Sequence, residues 1–131
     1  VIGVLAALQA RTRTGRGQHV DISMQDAQIS LLNYMATMHF LSGEVPGPLG
    51  NGHFVHVPYG TYPAADGYVI IAIIGDTFWR PLCQVVGLPE LDTEENAHQP
   101  GRFRNRVAIE AALSARLREK PKAHWLEALR G

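Results

Sequence analysis

Pro58-Tyr59-Gly60-Thr61-Tyr62-Pro63-Ala64-Ala65-Asp66-Gly67-Tyr68-Val69-Ile70-Ile71-Ala72-Ile73-Ile74 is the stretch on which the fold turns. Residues 60–63 and 68–74 are strand-forming segments, and Ala64-Ala65-Asp66-Gly67 between them holds the Asp-Gly pair typical of a tight antiparallel hairpin. The chain beyond the hairpin reads as helix, so this half of the molecule is α+β. Asp76 or Thr77 can cap a compact helix with Phe78, Leu82, Cys83 and Val86 on or near one face, and Gly87 with Pro89 ends it. Residues 90–101 read as polar loop. Residues 102–118 read as a helix burying Val107, Leu113 and Leu117. Pro121 can open a last helix carrying Trp125, Leu126 and Leu129 at helical spacing.

Upstream of the hairpin, residues 43–57 hold four glycines (Gly43, Gly47, Gly50, Gly52) and two prolines (Pro46, Pro48) without usable periodicity. Before them, Ser23 and Asp26 form a capping-box-like start to a helix of four to five turns. That helix carries Ile29, Leu32, Ala36 and Phe40 on one face and ends at Gly43. Residues 18–23 alternate apolar Val20 and Ile22 with His19, Asp21 and Ser23, the period of a half-buried strand. Thr14-Gly15-Arg16-Gly17 reads as a turn after an Ala-rich first helix that ends near Arg13. That helix has no N-cap, and Arg130-Gly131 falls where a loop is due, so the chain is expected to be an interior piece of a longer one.

Composition narrows the function. The 131 residues are 46% hydrophobic and 18% charged, which fits a folded domain rather than a disordered one. Twelve basic residues balance twelve acidic ones, so no net field recruits nucleic acid or an anionic membrane surface. The longest strongly apolar run, residues 68–74, falls far short of the roughly 20 residues that cross a bilayer. A lone Cys83 leaves no disulfide framework, and the expected setting is cytoplasmic.

Few constellations point to chemistry. Six histidines, with His53 and His56 close together, raise a metal site, but one cysteine and no HExxH spacing give no accepted zinc pattern, and none is expected. Residues 12–17 lack the context of a phosphate loop. Cys83 on an apolar helix face reads as a buried structural thiol rather than a nucleophile. Asp21 and Asp26 fit a strand's polar face and a helix cap better than a carboxylate pair. Gly50-Asn51-Gly52-His53 stands out, because alternating glycines let backbone approach a ligand and present N–H groups to a developing oxyanion. The same composition also suits a linker between two lobes.

The order of several words then carries a resemblance over essentially the whole chain: Gly3-Val4-Leu5-Ala6-Ala7-Leu8, Arg13-Thr14-Gly15-Arg16-Gly17-Gln18, Val20-Asp21-Ile22-Ser23-Met24-Gln25-Asp26-Ala27, Gly50-Asn51-Gly52-His53, Pro58-Tyr59-Gly60-Thr61-Tyr62 with Ala65-Asp66-Gly67, and Trp79 with Leu82-Cys83. This string resembles the family III CoA-transferases, the carnitine CoA-transferase, formyl-CoA transferase and bile-acid-inducible F group. The resemblance implies an α/β fold in which residues 1–45 finish a large Rossmann-like CoA-binding domain. Residues 46–57 would be a glycine-rich active-site loop or linker, and residues 58–131 most of a small α+β domain, within an interlocked homodimer. It further implies an enzyme moving coenzyme A between carboxylic acids through an aspartyl mixed anhydride and an aspartyl-CoA thioester. The nucleophilic Asp is expected upstream of Val1, so no catalytic residue falls in this chain, and residues 1–131 alone should not catalyse transfer. No permanent cofactor is implied; the coenzyme A thioester is the substrate. The family's positions carry over as substrate-binding onto Met24, Gly50, Asn51, Gly52 and His53. An α-methylacyl-CoA racemase sharing the fold and the upstream Asp, and a non-catalytic acyl-CoA-binding scaffold, are the alternatives.

Overall fold

The computed structural model describes residues 1–130 and divides the chain into two compact units, Val1–Pro46 and Gly47–Gly131. Gly131 lies outside the described residues.

In the first unit, α1 spans Ile2–Thr14 and stops at Gly15, whose left-handed φ of 69° lets its N–H return to the Arg11 carbonyl. Residues 18–23 belong to no helix or sheet, which corrects the expected strand. Alternation is necessary for a ladder but does not supply a partner, and both strands among the described residues lie in the other unit. Ser23 caps α2 (Met24–Leu31) as expected, its Oγ accepting the Asp26 N–H at 3.2 Å. The single long helix does not form. It breaks after Leu31 and restarts as α3 (Tyr34–Ser42), with Asn33 between them at φ 49°, a conformation Asn tolerates better than most residues. The break splits the intended apolar face, and Ile29, Leu32 and Phe40 are all exposed within this unit. Gly43 ends α3 in the left-handed region, as expected.

The second unit is built around the hairpin. Strand β1 (Tyr59–Ala64) pairs antiparallel with β2 (Gly67–Ala72) across the two-residue turn Ala65-Asp66. Tyr62 pairs with Val69 and Gly60 with Ile71 on the buried face, while Tyr68 and Ile70 point outward. Helix α4 (Trp79–Val86) follows a 3₁₀ turn at Asp76–Phe78 and buries Trp79, Leu82, Cys83 and Val86. Phe78 is 66% exposed, contrary to expectation, because it sits in the 3₁₀ turn ahead of α4 and off its apolar stripe. The expected polar loop at 90–101 contains 3₁₀ turns at Pro89–Leu91 and Glu95–Ala97 and the start of α5 (Gln99–Arg104).

The helix expected over 102–118 is interrupted at Asn105, and α6 runs Arg106–Leu117. Within α6 Ile109, Leu113 and Leu117 form a stripe at i, i+4, i+8, and Val107, about 200° round the helix from Ile109, is turned out to 83% exposure. Helix α7 (Lys122–Ala128) follows Pro121. Its start is held by Asp66 Oδ1 accepting the Lys122 N–H at 2.7 Å, and Trp125 donates to the Leu117 carbonyl at 2.8 Å. Leu126 is exposed and Leu129 packs against the core. Each fully buried aliphatic side chain in this core contributes about 1.5–3 kcal/mol.

Cys83 is 1% exposed, and burial pushes its thiol up to about 11. The native protein is therefore expected to leave Cys83 unmodified by a water-soluble disulfide reagent near pH 8, and to react fully once denatured. Rapid labelling of native Cys83 would contradict the buried assignment.

Candidate active-site loop

The loop's geometry starts from one turn. The Gly52 N–H reaches the Leu49 carbonyl at 3.0 Å, and Gly50 supplies the left-handed φ of 59° that closes the turn. The two glycines matter for different reasons. A Cβ at Gly50 would meet open space, so backbone strain alone selects glycine there. A Cβ at Gly52 would stand 3.2 Å from the Leu49 carbonyl oxygen, so close packing selects it. The turn lies over β1, with the Asn51 carbonyl oxygen 3.5 Å from where a Gly60 Cβ would be.

Beside the turn opens a cleft of about 230 Å³, lined by Asn51 and Gly52, by Thr61 and Tyr62 of β1, and by Glu110 and Ser114 of α6. Tyr62 is nearly buried, and burial, reinforced by the Glu110 carboxylate, raises its phenol so that it stays protonated at neutral pH.

From His53 onward the segment is tied down. The His53 N–H donates to the Tyr59 carbonyl at 3.0 Å, and its own carbonyl accepts from Arg106 Nη2 at 2.6 Å. Its Nδ1 accepts the N–H groups of Val55 and His56, each at 3.1 Å. The ring packs on Phe54, His56 and Tyr59, with centroids 4.6–4.9 Å away. Burial first, then His56 and Arg106, lower its pKa from the ordinary histidine value. Downstream, His56 Nδ1 lies 2.8 Å from Gln99 Nε2, and the Val57 carbonyl accepts from Arg102 Nε at 2.8 Å.

Arg102 is fully buried. It also donates to the Gln99 side chain and to the Asn96 and Ala97 carbonyls, pairs with Asp76 at 2.6 Å, and lies over the Trp79 ring. Asp76, expected as a helix cap, instead serves Arg102, His98 Nδ1 and the Gln99 N–H. Those hydrogen bonds, His98's first and Arg102's next, hold its carboxyl below the usual carboxylate range.

Gly50, Asn51, Gly52 and His53 thus form one structured corner of the second unit. Met24 belongs to the first unit, where it opens α2 with its side chain 83% exposed. Arg106, Glu110 and Tyr62 were not singled out from sequence, because they reach the loop through tertiary packing and carry no local motif. Among the described residues no cluster of His, Cys, Asp and Glu could hold a metal ion, and no helix is long and apolar enough to cross a membrane.

A family described as CoA-transferase family III matches residues 1–131. Acetyl-CoA:oxalate CoA-transferase of Acetobacter aceti is 35% identical over 128 residues, covering 97% of this chain and 33% of that protein. Succinyl-CoA:mesaconate CoA-transferase of Haloarcula marismortui is 37% identical over 113 residues, covering 86% of this chain and 28% of that protein. Among solved structures, a CAIB/BAIF family protein from Brucella suis superposes with a TM-score of 0.70 at 36% identity, covering 98% of this chain and 34% of that one. The chain spans about a third of the length of such relatives and shares their mixed helix-and-strand fold over that part. The chain belongs to CoA-transferase family III.

Proposed function

We propose that, in a protein of its relatives' length, this chain supplies the acyl-CoA-covering loop of a cytoplasmic enzyme that transfers coenzyme A between carboxylic acids. The family match along residues 1–131 carries the reading, and the glycine turn at 49–52 supports it. In this reading residues 1–45 complete a large CoA-binding domain, residues 46–57 form the loop, and residues 58–131 belong to the small domain of a homodimer. An aspartate outside residues 1–131 attacks the thioester carbonyl and expels CoA thiolate, leaving a mixed anhydride. The thiolate then attacks the aspartyl carbonyl and releases the first acid, giving aspartyl-CoA. The acceptor carboxylate and CoA reverse both steps and free the aspartate.

Each attack builds an oxyanion, and each anhydride is hydrolysed if water reaches it. A backbone turn with little side-chain bulk suits both needs, covering the reacting carbonyl and offering the N–H groups of Gly50 and Asn51, those of Gly52 and His53 being taken up within the corner. Met24, Gly50, Asn51, Gly52 and His53 are the proposed acyl-CoA contacts.

The test is transfer from acetyl-CoA or succinyl-CoA to a panel of carboxylic acids by the intact protein. Oxalate and mesaconate, the acids named for two relatives, come first. Expected are ping-pong kinetics and an aspartyl thioester trapped by hydroxylamine. Exchange of an α-proton on a 2-methylacyl-CoA without CoA transfer would replace the reading with a racemase, and acyl-CoA binding without turnover would replace it with a scaffold.

Gly52→Val in the same protein should lower kcat about 10- to 100-fold, because its branched Cβ pushes against the Leu49 carbonyl and displaces the turn from the reacting atoms. Acyl-CoA affinity should change far less. A weakened affinity with unchanged kcat would make the loop a binding surface only.

A further inference from the structure

The loop at 49–57 combines glycine freedom with a backbone that has to be held, and the His53 side chain takes up two of its N–H groups. We propose that His53 is a positioning residue, a peg whose Nδ1 lone pair gathers the Val55 and His56 N–H groups and so fixes the backbone that leads out of the 49–52 turn. This rests on the loop's proposed place over acyl-CoA, and it assigns the His53 side chain a task other than proton transfer.

The hydrogen bonds carry the assignment. An imidazole nitrogen that accepts two backbone N–H groups at 3.1 Å has no proton, so His53 is the neutral Nε2–H tautomer. A general base would have to give up that acceptor to take a proton at Nδ1, and the knot would open. The surroundings favour the neutral ring as well. Arg106, on the His53 carbonyl, brings a positive charge, and His56 and Tyr59 pack on the ring. The Glu110 carboxylate stands 3.9 Å from Arg106 Nε, facing the guanidinium. Burial together with His56 and Arg106 lowers the ring's pKa. A depressed value means that the knot is complete above the ordinary histidine pKa of about 6.5 and is lost as pH falls through the lower folded value.

Two substitutions separate the ring's nitrogens. Asn places an oxygen acceptor near the Nδ1 position and bonds readily to backbone N–H groups two and three residues on, whereas Gln reaches toward the Nε2 position and leaves Val55 and His56 without an acceptor. Hydrogen exchange in the intact protein, corrected for intrinsic rates, is the readout. Protection at the Val55 and His56 amides is expected to fall about tenfold in H53Q and to survive in H53N, a difference typical of losing one or two modest hydrogen bonds. The Ile73 amide, bonded to the Pro58 carbonyl, should stay protected in both variants and so reports that the hairpin has folded. The wild type should lose Val55 and His56 protection on acidification below the histidine range, and H53N should not. In the transferase assay H53N should lose less kcat than H53Q.

Exchange at these amides needs no acyl-CoA, so an absent transferase activity would remove the functional reading and leave the peg standing. Val55 and His56 amides as protected in H53Q as in the wild type, or as exposed in H53N as in H53Q, would overturn the peg.

Discussion

Arg102→Ala is expected to destabilise the unit carrying the hairpin by about 3–5 kcal/mol, the range found when one partner of a buried, hydrogen-bonded charge is removed. In thermal unfolding of the intact protein this should appear as a fall of at least about 10 °C in the midpoint of the transition reported by Trp79 and Trp125. The loss comes mainly from the backbone. Truncation strands the carbonyls of Val57, Asn96 and Ala97, which now accept from a fully buried guanidinium, and opens a cavity beneath Trp79. Asp76 contributes less, because its side chain is 40% exposed and keeps His98 and the Gln99 N–H as partners.

Arg102→Met helps to divide the cost, since it refills most of the cavity while leaving the carbonyls without a donor. A stability within about 1 kcal/mol of the wild type for Arg102→Met would assign the loss to packing. The depressed Asp76 carboxyl adds an acid limb. Its contribution is present above the ordinary carboxylate pKa near 4 and is lost as pH falls through the lower folded value, so wild-type stability should decline on that side. Because Arg102 holds the Val57 carbonyl, Arg102→Ala should also loosen the exit of the glycine loop.

Local chemistry and non-local packing explain what the sequence made legible. The Ala65-Asp66 hairpin, the Ser23 cap and the glycine stops at Gly15, Gly43 and Gly87 depend on a few adjacent residues, and each stands where those residues place it. Residues 18–23 had the right alternation, but a strand is completed by another strand, and their own unit contains none among the described residues. The break at Asn33 carried a faint signal, an Asn inside an apolar helix, which the periodicity of Ile29, Leu32 and Ala36 outweighed. Asn105 hid the second break in the same way. Val107 lies about 200° round the helix from Ile109, so the stripe through Leu113 and Leu117 takes Ile109 and leaves Val107 exposed. The corner around the loop was half legible. Its glycines and His53 announce themselves by composition, whereas Arg102 and Arg106 lie some fifty residues downstream of the backbone they grip.

Gly101→Ala is the second substitution with a large expected effect, about 3 kcal/mol. A Cβ on Gly101 would overlap the Glu95 carbonyl oxygen, and its carbonyl carbon would lie 2.6 Å away. No rotamer relieves a clash with backbone, so α5 must move away from the Glu95–Ala97 turn, at the upper end of the cost of overpacking. That movement also draws Arg102, the next residue, away from Asn96 and Ala97. Gly47→Ala in the same unit is the control. A Cβ there meets nothing within 4 Å and its φ is outside the left-handed region, so stability should stay within about 0.5 kcal/mol or rise slightly as the unfolded chain loses freedom.

Denaturant midpoints of the two single variants and of Gly101→Ala with Arg102→Ala then form a cycle. If Gly101 matters chiefly because it lets α5 deliver Arg102 to those carbonyls, the double variant should be less destabilised than the sum of the singles by about 1 kcal/mol or more. Strict additivity would mean that the close approach of α5 to the turn and the grip of Arg102 are independent supports of the same corner.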